Sequence, residues 1–373
     1  MTAFAPSRLF TGAEIIEGAV VHIDNGRVTS VSRTLAPDAV KLDGLLAPGF
    51  IDAQVNGGGG VLFNDAPTVD TLEAIAAAHS RFGVTSFMAT LISDERGKIP
   101  AAIAAVEEGV RRGVPGLLGL HLEGPWLSEP RRGVHPAKHL RPLADEDIQA
   151  LTRTRAFPLL VTVAPEQAAP IQIKALSDAG IIVSLGHTAA TAEEVQAALA
   201  AGAAGFTHLF NAMPPIEGRK PGPVGAALAD PDCFAGLILD GVHVHPVSAK
   251  LALAAKTARR LVLVSDAMST VGAAGSSMQL FGETIAVQGG ALRTSAGVLA
   301  GAHLDMSAAM RNAVTLLGAS LKDALRMASL TPAEFLRVEI DRGRIAPGLR
   351  ADFVLLNDAL EPAGVWIAGE RVA

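Results

Sequence analysis

Four residues of this 373-residue chain have the types and placement for hydrolytic chemistry: Glu123, His187, His208 and Asp266. Each ends a short apolar run of strand character. Leu117 to Leu122 leads into Glu123 and is stopped by Gly124-Pro125, Ile181 to Gly186 leads into His187, Gly205-Phe206-Thr207 into His208, and Leu261 to Ser265 into Asp266. A carboxylate at the mouth of a buried strand is costly unless it is hydrogen-bonded, ion-paired or bound to a metal. One His near a strand end is more often a structural residue than a ligand. Together, a Glu and two His from three strand ends suit a borderline metal such as zinc or iron and leave positions open for water and substrate. Asp266 could then exchange a proton with that water, whose pKa a metal lowers toward neutrality.

Composition limits the alternatives. The single cysteine, Cys233, excludes an intrachain disulfide and a thiolate-rich zinc site, so a metal must be held by His and carboxylate. Lys plus Arg number 31 against 37 Asp plus Glu, a formal charge of −6 that argues against a general nucleic-acid surface. No stretch reaches the roughly 18 unbroken strongly apolar residues of a spanning helix, and the start of the chain lacks a basic-then-apolar signal pattern. A cytoplasmic protein without membrane partners is expected.

Positioning four strand ends at one point requires a closed set of parallel strands. Candidate strands lie at 47–55, 85–92, 117–123, 159–164, 181–187, 205–209, 234–240 and 261–266, with helical spacing at 70–81, 100–111, 191–201 and 246–258 between them. Eight such units, with near-continuous apolar strands, predict a (β/α)8 TIM-type barrel whose functional residues sit at the C-terminal strand ends. Both chain ends read as short strands, with Asn25-Gly26 a hairpin signal. Neither end can hold a core alone, so residues 1–47 and 343–373 are expected to pair into a small β-sandwich domain beside a barrel over 48–342. Residues 126–142 are too long and polar for a plain βα loop and are expected to cover the mouth. Residues 272–303, with Gly289-Gly290 in a hairpin, form a second excursion.

Further segments invite chemistry with less force. Thr207 to Pro215 leads into Gly218-Arg219-Lys220-Pro221-Gly222, where backbone N–H groups and a cation could hold a phosphate, although that segment alone fits a solvated turn better. Asp240 to His245 adds His243 and His245, one of which could simply cap a helix. Gly57 to Gly60 lacks the Lys-Ser/Thr ending of a P-loop and reads as a flexible turn. On the first strand, Asp52, Gln54 and Asn56 share one side by the period of two, and amides are poor zinc ligands.

Pro48-Gly49-Phe50-Ile51-Asp52, His121-Leu122-Glu123-Gly124-Pro125, Gly186-His187-Thr188, Thr207 to Met213 and Ser265-Asp266-Ala267, in this order, resemble the N-acetylglucosamine-6-phosphate deacetylases of the amidohydrolase superfamily. The likeness extends to Arg344-Ile345-Ala346-Pro347-Gly348 and Ala351-Asp352, and so spans nearly the whole chain. It implies that Glu123, His187 and His208 hold one divalent metal ion, zinc first, with iron, cobalt or manganese as alternatives, and that Asp266 is the acid–base residue. His135, beside Val134 in the covering loop, would polarise the acetamide carbonyl. Asn211, Ala212 and Arg219 would meet the sugar phosphate, His243 would reach it from the neighbouring subunit of a homodimer, and Leu299-Ala300-Gly301 would close on the substrate. The superfamily's first strand normally ends in His-x-His; here Gln54 and Asn56 stand in those places, which implies one metal. The implied reaction is deacetylation of N-acetyl-D-glucosamine 6-phosphate to D-glucosamine 6-phosphate and acetate.

Three rivals compete with this reading. One keeps the fold and changes the substrate, to the galacto epimer, which differs by one hydroxyl, or to another acyl-amino sugar. A cyclic-amide hydrolase such as a dihydroorotase would need a carboxylated Lys on strand four, and Leu159 to Ala164 contains none. A non-catalytic barrel is prompted by the missing His-x-His and opposed by the retention of all four strand-end residues.

Overall fold

The structure is a computed structural model that describes residues 2–34 and 38–373. Its centre is a sheet of eight parallel strands in chain order: β1 (Phe50–Val55), β2 (Val84–Ile92), β3 (Leu117–Glu123), β4 (Leu159–Val163), β5 (Ile182–Leu185), β6 (Gly205–Phe206), β7 (Phe234–Leu237) and β8 (Leu261–Leu263). Hydrogen bonds close the ring just beyond the first and last strands, where Asn56 N–H and Gly57 N–H donate to Ala267 O at 2.9 and 3.0 Å. The expected (β/α)8 barrel is therefore present. Leu120, Val161, Val183, Leu237 and Leu263 are all fully buried, as strands covered on both faces must be. Helices follow as predicted, at Val69–Ser80, Lys98–Arg112, Ala192–Ala200 and Pro246–Lys256 among others.

The predicted strand over 47–55 is two strands. Val40–Pro48 belongs to a separate sheet and Phe50–Val55 to the barrel. The chain switches sheets at Gly49, where a Cβ would lie 2.1 Å from Thr85 Oγ1, so the crossing is passable only without a side chain.

Both chain ends enter that other sheet. Val40–Pro48 pairs parallel with Thr2–Phe10 and antiparallel with Phe353–Leu356, which in turn pairs with Pro362–Ile367. Its two faces alternate as the pleat requires. Leu46, Phe353, Leu355 and Trp366 pack with Phe4 and Ile23, whereas Leu45, Ala47, Val354 and Leu356 join the barrel core. The Asn25-Gly26 hairpin forms between Val20–Asp24 and Arg27–Ser32 with φ of 48° and 74°.

The excursion after β8 is a three-stranded antiparallel sheet, Ser277–Leu280, Glu283–Gln288 and Ala291–Arg293, turning at Gly289-Gly290. Its inner face (Met278, Leu280, Ile285, Leu292) packs on Ile92 and Met268 at the barrel mouth.

Gly57 to Gly60 differs from the expected flexible turn. Gly57–Gly58 pairs with Val61–Leu62, and Gly57 O accepts from the buried His79 Nε2 at 2.9 Å. A Cβ on Gly58 would lie 2.8 Å from that nitrogen, so the glycine permits the approach.

Burial holds His79 neutral, its pKa pushed down from 6.5 to about 4. Because the folded value is the lower one, the unfolded chain takes up this proton first as pH falls. The stability it contributes is full above pH 6.5 and is lost as pH drops through 4. His79→Gln keeps an N–H donor for Gly57, and is expected to flatten the pH dependence of urea unfolding in that window by up to about 1.4 kcal/mol per pH unit. An unchanged slope would show that acid sensitivity lies elsewhere.

Candidate active site

The C-terminal ends of β3, β5, β6 and β8 deliver Glu123, His187, His208 and Asp266 to one cavity of about 350 Å³. Asn56, Val134, His135, Asn211, Ala212, His243, Leu299 and Gly301 share its lining. Glu123 Oε1 lies 3.0 Å from His187 Nε2 and 2.9 Å from His208 Nε2, and the two imidazole nitrogens are 3.0 Å apart. All three side chains are buried. His187 Nδ1 is 2.8 Å from Arg131 O, a carbonyl that can only accept, so Nδ1 carries a proton. In the neutral ring Nε2 is then a bare lone pair, and it faces a carboxylate oxygen. Glu123 Oε1 and the two Nε2 atoms, each able to offer a lone pair to a cation, thus converge on one point.

The fit to a divalent metal can be judged from these distances. A tetrahedral site with bonds of about 2.0–2.1 Å has edges of roughly 3.3 Å, close to the separations found here. The Arg131 carbonyl fixes the His187 tautomer from behind, as the outer partner of a ligating imidazole does. His208 Nδ1 is buried without a hydrogen-bond partner among the described residues, so this ring's polar contacts all lie on the cluster side. His135 is a further candidate, with its donor atom and those of Glu123 and His187 all within 4.8 Å of one another. The set with His208 is tighter, and His135 is committed to Ser93.

His135 Nδ1 accepts the Ser93 N–H at 3.3 Å and lies 2.8 Å from Ser93 Oγ. Burial pushes its pKa down to about 3, with His187 adding to the effect, so the ring is neutral with its proton on Nε2. Burial alone would raise the Glu123 carboxyl, but the His187 and His208 contacts more than offset it and hold it well below the ordinary range. Burial pushes Asp266 up to about 6, with the Glu123 charge contributing.

Local backbone geometry explains how short strands aim these groups. His187, His208 and Asp266 have φ of 47°, 31° and 49°, and Phe210 and Ala212 follow at 80° and 54°. Left-handed non-glycine residues are uncommon and concentrate where surrounding structure holds a functional group in place. The covering loop pins one of them, since Ser128 N–H donates to His187 O at 2.9 Å. Beyond β8, Ala302 N–H donates to Asp266 O at 2.8 Å, and so seats Leu299-Ala300-Gly301 against the site.

Gln54 sits behind the cluster and donates through Nε2 to both Glu123 Oε2 (3.1 Å) and Asp266 Oδ1 (3.0 Å). Asn56 Nδ2 donates to the same Asp266 oxygen at 2.7 Å.

The other expected residues take these places in the single chain. Arg219 lies exposed on the tight turn closed by backbone hydrogen bonds between Glu217 and Lys220, and is not among the residues lining this chain's own cavity. His243 lines this chain's own cavity, anchored by Asp240 Oδ2 at 2.6 Å, so its place there needs no neighbouring subunit. Ala300 is buried behind the lining residues Leu299 and Gly301. His245 caps the Pro246–Lys256 helix by accepting Val247 N–H at 3.2 Å.

The sequence reading missed Ser93, Arg131 and His121. His121 is buried between Thr90 Oγ1 (3.1 Å) and Thr162 Oγ1 (2.7 Å), and the chain of contacts continues through Thr207 to Ser184 at 2.7 Å each. This polar belt ties β2 to β6 beneath the cluster. Its signal was available, since His121 lies two residues before Glu123 and so faces the same side of β3.

Fold and cluster together define a (β/α)8-barrel hydrolase of the metal-dependent type. The chain belongs to the amidohydrolase family, whose sequence model matches residues 45–372. It is 42% identical over 371 residues to the N-acetylgalactosamine-6-phosphate deacetylase of Shewanella sp. (strain ANA-3), covering 98% of this chain and 94% of that one. Its fold matches the crystal structure of the N-acetylglucosamine-6-phosphate deacetylase from Pasteurella multocida with a TM-score of 0.95, 33% identity and 99% of both chains covered. An alanine-substituted variant of the Mycobacterium smegmatis N-acetyl-D-glucosamine-6-phosphate deacetylase, solved with N-acetyl-D-glucosamine-6-phosphate, matches with a TM-score of 0.92 and 32% identity, covering 100% of this chain and 99% of that one.

The donor set predicts a measurable response. A divalent ion is expected to raise the thermal midpoint of the wild type, and Glu123→Gln to remove most of that rise by weakening the charge that balances the ion. An equal rise in the variant would place the ion elsewhere.

Proposed function

We propose that this chain removes the acetyl group from N-acetyl-D-glucosamine 6-phosphate, giving D-glucosamine 6-phosphate and acetate. The observation that carries the reading is the buried carboxylate with two imidazoles, faced across one cavity by an acid–base carboxyl and a neutral imidazole N–H donor. The activities named for the relatives support it. In this reading Glu123, His187 and His208 hold one divalent ion, zinc first, because amides rather than imidazoles occupy Gln54 and Asn56. When bound, the ion supplies Lewis acidity, polarising the acyl carbonyl and acidifying water beside it.

The chain's own residues do the rest. Asp266 takes a proton from the attacking water, and His135 Nε2–H donates to the carbonyl oxygen as negative charge grows on it. As the C–N bond breaks, Asp266 returns the proton to the nitrogen, and the amine leaves neutral. His243, held by Asp240, and the Asn211-Ala212 turn receive the phosphate, while Val134 and Leu299 to Gly301 close over the sugar. Val247 and Leu251, exposed one turn apart on the Pro246–Lys256 helix, offer an apolar surface for a homodimer. No helix among the described residues is long and apolar enough to cross a membrane.

The galacto epimer is a second reading, favoured by the 42% identical relative that bears the galactosamine name. Acetate release from both sugar phosphates and from unphosphorylated N-acetylglucosamine, with and without chelator, tests the proposal. Chelator-sensitive release that requires the phosphate is expected, and the ratio of kcat/KM between epimers assigns the sugar. Asp266→Asn is expected to lower kcat by at least about 100-fold while the metal stays bound. Near-normal turnover by that variant would remove Asp266 from the proton transfers.

A further inference from the structure

The Asp266 carboxylate is held by one oxygen. Oδ1 accepts both the Gln54 and Asn56 amide N–H groups, at 3.0 and 2.7 Å, whereas Oδ2 has no hydrogen bond among the described residues and belongs to a side chain lining the cavity. The orientation of each amide follows from chemistry, because a carboxylate oxygen only accepts and the NH2 end must face it. Both donors are rigidly placed. They come from one side of β1 and its extension, both are buried, and Asn56 N–H and Gly57 N–H bind Ala267 O, next in chain to Asp266. The end of the first strand is thereby locked to the segment that carries the carboxylate.

We propose that Asn56, with Gln54, is a positioning residue for the reaction: the two amides clamp Oδ1 of Asp266 and leave Oδ2 as the oxygen that carries the proton from water to the leaving nitrogen. This rests on the function proposed above. An unclamped carboxylate turns about its terminal torsion and presents either oxygen in a range of directions, so part of its population is misaligned. Proton transfer depends steeply on reach and direction, and fixing both removes that loss. Asn56 is the cleaner member of the pair, because Gln54 also donates to Glu123 Oε2 at 3.1 Å and its removal would disturb two carboxylates.

The test uses Asn56→Leu, which keeps the branched shape and removes the donor, and Asn56→Ser, which is smaller and avoids any clash. Both are assayed as metal-loaded full chains on the N-acetyl sugar phosphate and on its analogue with an O-acetyl ester at the same carbon. An amine cannot depart without a proton, whereas an alcohol depends on that proton less, so misalignment of Oδ2 falls harder on the amide. The expected result is a fall in amide kcat of about 10- to 100-fold, the weight of a hydrogen bond to a charged group, with KM changed by less than about threefold. The ester kcat is expected to fall several-fold less, with metal content and thermal midpoint as in the wild type. Equal losses on amide and ester, an amide rate within about twofold of wild type, or loss of metal in both variants would each overturn the clamp. Failure of the wild type itself on the amide is a separate result, which would overturn the proposed function and the clamp with it.

Discussion

The arrangement depends on three atoms able to share one cation, Glu123 Oε1 and the Nε2 atoms of His187 and His208, drawn together by buried side chains at the floor of one cavity. They lie 2.9–3.0 Å apart, and the proton of His187 is already spent on the Arg131 carbonyl. Left alone, such a set is costly; around a cation it becomes favourable, because a single positive charge satisfies all three. The covering loop belongs to this logic, since it supplies the carbonyl that leaves His187 Nε2 bare. The closed barrel supplies the stiffness that keeps the donors from drifting apart.

That stiffness is local as well as global. Three of the four strand-end residues hold left-handed backbone, which a freely hinged loop would relax away from. Below them, the belt from Thr90 through His121 to Ser184 pairs polar groups that the barrel interior would otherwise leave unsatisfied. Burial keeps His121 uncharged, its pKa pushed down to about 4, so the belt adds hydrogen bonds without adding positive charge beside the cluster.

The site is chemically lopsided. On one side stand the carboxylate and imidazoles suited to a metal; on the other, Gln54 and Asn56 present N–H donors to carboxylate oxygens. Amides there place partial positive charge between Glu123 and Asp266 without the full charge of a second ion. The two carboxylates can then share one cavity in different states, Glu123 held ionised and Asp266 lifted toward the range where it exchanges a proton.

Much of this was legible in the chain itself. Strand periodicity and the Gly-Pro stop placed Glu123 at a strand end, and eight apolar runs separated by helical spacing were enough for the barrel, because parallel strands buried on both faces have a distinctive pattern. The four strand-end residues and the amides at 54 and 56 were visible as residue types at fixed spacing. Other features required the folded chain. The sheet switch at Gly49 depends on Thr85, 36 positions away, whose side chain forbids a Cβ there. The outward turn of Arg219 and the inward turn of His243 are set by which hydrogen bonds close around each, and residue type carries no such information. The tautomers of His187 and His135, and the oxygen of Asp266 left free, follow from partners distant in sequence. Spacing along a strand fixes the side a residue faces, whereas the proton on a nitrogen or the free edge of a carboxylate is decided by atoms that only the tertiary fold brings within 3 Å.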